Sequence, residues 1–176
     1  MRRRVAAWEI AGVFWIFVAG SALHFAYDWL GRVAPVGLVA AVNESIWEHL
    51  KLAYWPAVLY ALAEHAFLKG QVRNLLLAKA AATCLMPLTI VALFYGYTAV
   101  LGHNVLWADI SIFFVAAAAG QLVSYVLLTA RDASRPLNLV GLAALLLLGA
   151  AFMAFTFAPP HLPIFRDAVT GSYGIR

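Results

Sequence analysis

Five long stretches of apolar residues constrain the fold of this 176-residue chain more than any other feature. They cover about residues 8 to 30, 46 to 68, 75 to 101, 108 to 130 and 138 to 158. About 20 helical residues cross a bilayer core about 30 Å thick, and each stretch reaches that length. Lipid offers no hydrogen bonds, so backbone groups must be paired within such a segment. The chain is therefore predicted to be an all-α, polytopic transmembrane bundle of five helices.

The composition supports this class and excludes others. Apolar residues of the AVILMFWYC set make up 65% of the chain and charged residues 11%, whereas soluble domains have about 45–50% and about 25%. The chain is too apolar to be disordered, and its single cysteine excludes a disulfide scaffold. Because no linker or shift in composition divides the sequence, residues 1–176 are predicted to form a single integral membrane domain.

The distribution of lysine and arginine predicts the orientation, since short loops rich in positive charge stay in the cytoplasm. One predicted side carries eight of these residues: Arg2, Arg3, Arg4, Lys69, Arg73, Lys79, Arg131 and Arg135. The other side carries four: Arg32, Lys51, Arg166 and Arg176. We therefore predict a cytoplasmic N-terminus and an extracytoplasmic C-terminus in the inner membrane of a bacterium.

The basic residues also bear on the partners of the chain. The net charge is +4, but its residues are scattered over loops and form no patch, which argues against a nucleic-acid partner. Membrane lipids are the expected surroundings, and a protein partner or a homo-oligomer within the membrane remains open. The first span also fits a cleavable signal peptide ending near Ala22, although Glu9 and the length of the run favour a retained span.

Most ionisable residues fall at the predicted outer face. Four of the five histidines lie there, namely His24, His49, His103 and His161. Five of the eight acidic residues lie there too, namely Asp28, Glu44, Glu48, Asp109 and Asp167. Ionisable groups within or beside membrane spans are costly, so they are candidates for function by default. Their convergence from four separate segments predicts a polar site at this face.

Helical spacing suggests which of these groups meet. His24 and Asp28 are four residues apart, as are Glu44 and Glu48, and residues at this spacing share a helix face. Imidazole and carboxylate groups in such an arrangement can bind Zn²⁺ or another divalent transition metal and leave one position for water. They can equally form an acid–base relay.

The predicted site has four metal ligands and three catalytic carboxylates. The metal ligands are His24, His49, His103 and His161. The catalytic residues are Glu48 as general base, with Glu44 or Asp28 completing the metal shell. Structural roles compete with these. Ser45 and Glu48 form the pattern of a capping box, and Lys51 is spaced to pair with Glu48.

Other residues have structural alternatives of the same kind. Asp109 is placed to cap the fourth span, while His103 and His161 can simply be hydrated at the interface. Glu64 and His65 near the opposite membrane face form at most a second small polar pair. Residues 161 to 176 carry turn signals and apolar side chains, which predict a short ordered tail that caps the outer pocket.

Three segments carry a resemblance to a known family. They are His24-Phe25-Ala26-Tyr27-Asp28-Trp29-Leu30-Gly31, Asn43-Glu44-Ser45-Ile46-Trp47-Glu48-His49-Leu50-Lys51 and Thr170-Gly171-Ser172-Tyr173-Gly174-Ile175. Together they resemble a family of small bacterial polytopic membrane proteins classed as a domain of unknown function. The resemblance covers nearly the whole chain and implies the fold and membrane residence, without an activity.

One step is also similar to an element of the transmembrane metal hydrolases that include alkaline ceramidases and relatives of the adiponectin receptors. That step is Ser45-x-x-x-His49. Those proteins also have a His-x-x-x-His pair in their last span and about seven spans. This chain departs from their pattern in both respects.

Three functions follow from the sequence as alternatives. The first is a metal-dependent, zinc-type membrane hydrolase or lipid-modifying enzyme built on the outer polar site. The second is a non-catalytic binding module for haem, with His24 and His49 as axial ligands, or for a lipid or quinone. The third is an accessory subunit of a larger membrane complex, in which the polar cluster fixes the helix register.

Overall fold

The computed structural model describes residues 2–130 and 134–175. Within them the helices are α1 (Arg2–Trp29), α2 (Ala34–Gly37), α3 (Ile46–Leu68), α4 (Leu75–Leu101), α5 (Leu106–Thr129) and α6 (Arg135–Phe157), followed by a 3-10 turn (Pro163–Phe165). The described residues form no strand beyond one isolated antiparallel bridge between Arg166 and Tyr173. The all-helical prediction is confirmed. Arg131 and Arg176, which enter the charge count, lie outside the described residues.

The helix ends follow local signals in the sequence. The helices predicted over 46–68 and 75–101 begin and end at those residues. Ser45 caps α3 by accepting a hydrogen bond from the Glu48 N–H at 3.3 Å. Gly102, with φ of 76°, ends α4 in the left-handed conformation that glycine adopts without strain.

Other ends differ from the prediction. α1 begins at Arg2 rather than at residue 8, because arginine is a good helix former even where the apolar pattern has stopped. α6 begins at Arg135 rather than at 138, with Pro136 in its first turn, where proline lacks no needed donor. The connection from 31 to 45 contains the short helix α2, which the sequence did not indicate.

Within the described part of the chain, four helices are long and apolar enough to cross a membrane: α1, α4, α5 and α6. α3 is of similar length, but Glu48, Lys51 and Glu64 make it less apolar. These three side chains are buried in the bundle, so the polarity of α3 faces protein rather than lipid. The count of five spans and the orientation of the termini stay predictions.

The long helices run in alternating directions: His24 near the end of α1 lies beside His49 near the start of α3, and short connections join the later helices. One end of the bundle, here called the amino-terminal end, holds Arg2, Leu68, Leu75, Thr129 and Arg135. The other, here called the carboxyl-terminal end, holds Trp29, Ile46, Leu101, Leu106, Phe157 and the tail. Functional groups can therefore be assigned to one end or the other.

The core lies where α4 packs on α5, α3 and α6, and α1 packs on α3 and α5. Ile16, Met86 and Phe152 are fully buried at its centre. Close contact depends on glycine, since a Cβ at Gly120 would lie 2.4 Å from the methyl carbon of Met86. A Cβ at Gly141 would lie 2.8 Å from the backbone of Leu76, so α6 rests directly on α4.

Candidate metal centre

The carboxyl-terminal end brings together two histidines and one carboxylate from two helices and a loop. His24 comes from α1, His49 from the beginning of α3, and Glu44 from the loop before α3. The His49 Nε2 lies 3.4 Å from Glu44 Oε2, and the His24 Nε2 lies 3.9 Å from Glu44 Oε1. Each residue offers one ligand atom within 4.8 Å of the other two.

The start of α3 places two members of this group. The Asn43 side chain accepts a hydrogen bond from the Ser45 N–H at 2.9 Å, and the Ser45 hydroxyl caps the helix. Glu44 therefore stays outside the helix, where its side chain is 49% exposed. His49 follows within the helix, with its Nδ1 2.8 Å from the Ser45 carbonyl oxygen. This contact with a carbonyl directs the His49 Nε2 toward Glu44.

His24 completes the group from the opposite helix. Its ring lies 5.1 Å from that of His49, between centroids. Its Nδ1 is buried and has no hydrogen-bond partner among the described residues. The side chains of His24 and His49 are 28% and 36% exposed, so water reaches the group while the helices fix its position.

The charge state of Glu44 suits a metal ligand. Its hydrogen bond with His49 lowers the pKa of Glu44 below the ordinary value of 4.5, although partial burial opposes the shift. Glu44 is therefore an anion throughout the neutral pH range. A carboxylate with two imidazoles, which bind a metal in their neutral form, is a ligand set used by zinc and by several other divalent transition metals.

The distances also fit a small ion. Metal–ligand bonds of about 2.0–2.2 Å at tetrahedral angles separate ligand atoms by roughly 3.3–3.6 Å. The contact between His49 and Glu44 is already 3.4 Å, and that between His24 and Glu44 exceeds the ideal by only a few tenths of an ångström. An ion held by these three residues would have a fourth position open for water.

The group does not include His103 or His161, which were predicted as further metal ligands. His103 is exposed in the loop between α4 and α5, with its Nδ1 3.0 Å from the Leu101 carbonyl oxygen. His161 is exposed and packs on the ring of Tyr173, 4.6 Å between centroids. Each ring is held by its own local segment, so the group draws on two histidines rather than four.

Glu48 faces away from the histidines, into the core. Its carboxylate lies 2.5 Å from the Lys51 Nζ and accepts hydrogen bonds from the Thr156 hydroxyl and the Val42 N–H, each at 3.0 Å. Glu48 is 2% and Lys51 0% exposed. These contacts confirm the ion pair with Lys51. They leave Glu48 no free oxygen near the histidines, so the structure does not support a general-base position for it.

Of the predicted helix-capping roles, the structure confirms that of Ser45. Ser45 caps α3 as the capping box predicts, but the Glu48 carboxylate reaches back to Val42 rather than to Ser45. Asp109 does not cap α5, because it lies within the first turn and accepts hydrogen bonds from Tyr97 and Asn104. The prediction of an N-cap at Asp109 is therefore wrong.

Asp28 remains close to the group without belonging to it. It is exposed, and its Oδ1 accepts a hydrogen bond from the Arg32 side chain at 2.7 Å. Asp28 lies one helical turn from His24 on α1, as the spacing predicted. Of the predicted carboxylates, the structure joins only Glu44 to the histidines.

The tail folds back onto the bundle, as predicted, and its Asp167 carboxylate accepts a hydrogen bond from the Glu44 backbone beside the histidines. The Asn43 side chain donates to the Gly174 carbonyl at 3.0 Å, and the Ile175 N–H donates to the Thr156 carbonyl at 2.9 Å. Asp167 is buried, which would raise its pKa, but hydrogen bonds from the Thr170 hydroxyl and backbone N–H groups lower the pKa instead. The tail thus contacts Thr156, which bonds the Glu48–Lys51 pair, and also the Glu44 backbone, while His24 and His49 stay partly exposed.

Sequence reasoning missed a second buried polar group, in the amino-terminal half. The Lys79 Nζ lies 2.8 Å from Glu9 Oε1 and also pairs with Glu64, while the Ser124 hydroxyl donates to Glu9 at 2.7 Å. Lys79 entered the sequence argument only as a positive charge near a loop. The available signal was that all three charged residues lie inside apolar helices, where each needs a partner. His65 is exposed and does not pair with Glu64 as proposed.

Comparison with known proteins adds a family but no activity. A family model described as a family of unknown function, DUF6512, matches residues 1–175. No curated protein and no solved structure matches the chain. The family model spans almost the entire sequence, as did the resemblance seen in its motifs. The chain therefore belongs to the family of unknown function DUF6512.

Proposed function

We propose that this protein binds one divalent transition metal ion, with Zn²⁺ as the first candidate, through His24, Glu44 and His49. The proposal rests on one observation: a ligand atom from each of these residues lies within 4.8 Å of the other two. We further propose that the protein is a metal-dependent membrane hydrolase, in which these three residues would hold the ion and the ion would supply activated water for a substrate held in the membrane.

The surroundings of the ligands support a metal site. Metal-binding histidines usually have their second ring nitrogen fixed by a carbonyl or carboxylate, which orients the ring. His49 has such a contact with the Ser45 carbonyl. The group contains no lysine or arginine, so its negative carboxylate is available to a cation. The buried pairs elsewhere in the bundle contain their own lysine and offer nothing similar.

A small ion fits better than haem. A haem plane held between His24 and His49 would need the space between their Nε2 atoms. Glu44 occupies that space, with its oxygens 3.9 Å from one Nε2 and 3.4 Å from the other. A single ion accepts all three ligands at once, whereas haem would have to displace the carboxylate.

The chemistry expected at such a site is hydrolysis. A zinc ion with an open position lowers the pKa of bound water to about 7 and polarises a substrate carbonyl or phosphoryl group. His24, Glu44 and His49 would hold the ion. Asp28, exposed and one helical turn from His24, is our candidate for the group that accepts the proton of the water.

The position favours a substrate from the bilayer. His24 contacts the ring of Phe25, which in turn stacks on Trp29 at 5.6 Å. Phe25 and Trp29 are 50% and 70% exposed, and aromatic rings of this kind sit at the membrane–water interface. An ester or amide bond near a lipid headgroup would therefore reach the site.

The test of the metal site is direct analysis of purified protein carrying no histidine tag. After incubation with Zn²⁺ and removal of free metal, we expect about one zinc per chain by mass spectrometry of the digested sample. His24→Ala and His49→Ala should lose it. His103→Ala and His161→Ala are matched controls, because they remove exposed histidines at the same end, and should retain it. Equal zinc in all four variants would disprove the site.

The enzymatic step needs its own test. Zinc-loaded protein in vesicles that contain ester-linked and amide-linked lipids should release fatty acid, and chelator-treated protein should not. Zinc binding without any released product would reject the hydrolase and keep the metal site.

A further inference from the structure

Three charged side chains meet inside the amino-terminal half of the bundle. Glu9 comes from α1, Glu64 from α3 and Lys79 from α4. Their side chains are 4%, 0% and 4% exposed. The Lys79 Nζ lies 2.8 Å from Glu9 Oε1 and also pairs with Glu64, while the Ser124 hydroxyl of α5 donates to Glu9 Oε1 at 2.7 Å. The two carboxylates therefore lie side by side around one ammonium group.

The single ammonium group balances only one of the two carboxylates. Among the described residues, Lys79 is the one cation that pairs with Glu9 or Glu64. The other polar side chains beside the carboxylates are uncharged at neutral pH, namely Ser124, Gln121 and Tyr60. With both carboxylates ionised, the group would keep one uncompensated negative charge out of contact with water, which is strongly unfavourable.

The nearest other positive charges lie further out, at the surface. Lys79 lines a groove between α3, α4 and α6 together with three exposed residues, namely His65, Arg73 and Arg135. In the part of the chain that the structure describes, none of the three pairs with Glu9 or Glu64. The negative charge of the buried group therefore has to be neutralised inside the group.

Two oxygen atoms show where the neutralising ligand binds. Glu9 Oε2 and Glu64 Oε1 are buried, and neither has a hydrogen-bond partner among the described residues. Glu9 Oε1, by contrast, already faces Lys79 and Ser124. A buried polar atom without a partner is costly and calls for an explanation. A proton supplies one, because it forms an O–H group on one of the free oxygens and removes the negative charge.

A metal cation fits this group less well than a proton. Ca²⁺ and Mg²⁺ bind about six or more oxygen ligands, whereas the group has two free carboxylate oxygens. The Lys79 ammonium, which contacts both carboxylates, would also repel a metal ion placed between them. A proton needs one oxygen and no change in the position of Lys79.

We propose that this group is a proton-binding site, in which Glu9 and Glu64 share one proton at neutral pH. Two carboxylates in one buried site resist full ionisation, because burial and their like charges both oppose it. Since both contact the same ammonium group, the proton belongs to the pair rather than to either residue. Carboxylates inside membrane helices are a known setting for sites that take up and release protons.

The site is close enough to the amino-terminal end for the proton to exchange. Glu64 lies four residues before the end of α3, and Lys79 lies four residues after the start of α4. At about 1.5 Å per residue, the group is roughly 6 Å from that end along the helices. Opening of a helix end by one turn therefore exposes the group to water. The His24–Glu44–His49 group lies at the opposite end, so the two proposals fail or succeed separately.

Infrared spectroscopy of the full chain, in a detergent that has no ester groups, tests the proposal. A protonated carboxylic acid has a C=O stretching band that an ionised carboxylate lacks. We expect the wild-type protein at neutral pH to show this band with the intensity of one group per chain. Transfer to D₂O should move the band to lower frequency, because an exchangeable O–H becomes O–D.

Substitutions in the group should change the band in opposite directions. Glu9→Gln and Glu64→Gln each leave one carboxylate paired with Lys79, so neither variant needs a proton and the band should disappear. Lys79→Gln leaves two buried carboxylates without a cation, so both should take up a proton and the band should become about twice as intense. Asp109→Asn is the matched control, because it removes one acid at the carboxyl-terminal end, and should keep the wild-type band.

Several results would overturn the proposal without depending on Lys79→Gln, which removes a buried cation and can fail to fold. The wild-type protein could lack the band, or the band could persist in both glutamine variants or vanish equally in Asp109→Asn. A band that does not move in D₂O would show that the proton does not exchange. A band that disappears when sodium replaces choline in the buffer would show that the site binds a metal cation instead.

Discussion

Two polar groups arise from neighbouring residues of α3 and differ in almost every physical respect. Glu48 points into the core and meets Lys51 and Thr156, and both charged side chains are at most 2% exposed. His49 points the other way and meets Glu44 and His24, in a group that is 28% to 49% exposed. The first group contains its own cation, and the second does not.

Comparing the two groups shows how polar residues that stabilise a membrane protein can be distinguished from those that can bind a ligand. A buried carboxylate that already has a lysine and a hydroxyl has no capacity left for a ligand. A half-exposed group with a carboxylate and no cation can still accept one from solution. The Glu9–Glu64–Lys79 group falls between these two cases, because it is buried but has one lysine for two carboxylates.

The largest effect on stability is expected from breaking the buried ion pair of Glu48 and Lys51. Lys51→Met leaves the Glu48 carboxylate buried without a cation, which should cost about 3–5 kcal/mol of stability. Thermal unfolding in detergent should then fall by roughly 10 °C. The double variant Lys51→Met/Glu48→Gln removes both charges and should recover most of the loss. If Lys51→Met unfolds at the wild-type temperature, the pair does not stabilise the bundle.

Mutation of the His24–Glu44–His49 group should change how much zinc stabilises the protein, rather than its stability without metal. Zn²⁺ at a hundredfold excess over its dissociation constant should stabilise the wild-type protein by about 2.7 kcal/mol, because it binds only the folded state. Glu44→Gln should unfold near the wild-type temperature without metal and gain much less from zinc. Thermal shift with and without Zn²⁺ measures both. Equal gains in the two proteins would place the zinc elsewhere.

The metal should leave as pH falls through the titration range of the histidines. Protons compete for the ring nitrogens of His24 and His49, whose ordinary pKa is about 6.5. Affinity should therefore fall by up to about a hundredfold per pH unit below about pH 6. The pKa of Glu44 is lowered from 4.5, so its carboxylate stays ionised through this window and its contribution is lost only at lower pH. Zinc retained down to pH 4 would show that the histidines are not ligands.

The smallest effect is expected at Asp28. Its pair with Arg32 is exposed at both side chains, at 62% and 72%, and exposed pairs contribute about 0–1 kcal/mol. Asp28→Asn should therefore unfold like wild type and bind zinc with the same stoichiometry, while hydrolysis slows. Loss of zinc in this variant would make Asp28 a ligand and change the proposed ligand set.

Helix ends were predictable where a local signal marks them. Ser45 and Gly102 mark ends that the structure reproduces, because a cap and a left-handed glycine act within a few residues. The start of α1 was not predictable from apolarity, since its first residues are charged yet helical. Local sequence rules thus predicted the presence of helices well. They were less successful at predicting where a helix begins or ends when its terminal residues are polar.

The candidate site was predictable only in part. His24, Glu44 and His49 were all singled out by residue type and by their common end of the bundle. The spacing argument for Glu44 and Glu48 failed because it assumes that both lie in one helix. Glu44 precedes the cap at Ser45, so its side chain takes a direction that helical spacing does not describe. His103 and His161 share the end of the bundle but not the pocket.

The sequence by itself determined that the chain is helical, apolar and divided into long helices with polar groups concentrated at one end. These properties depend on residues close together in the chain, so local rules suffice. Only the tertiary structure decided which polar groups meet, because the rotation of each helix depends on packing among distant segments. That packing turned Glu48 toward Lys51 and Thr156, and left His49 facing His24 and Glu44.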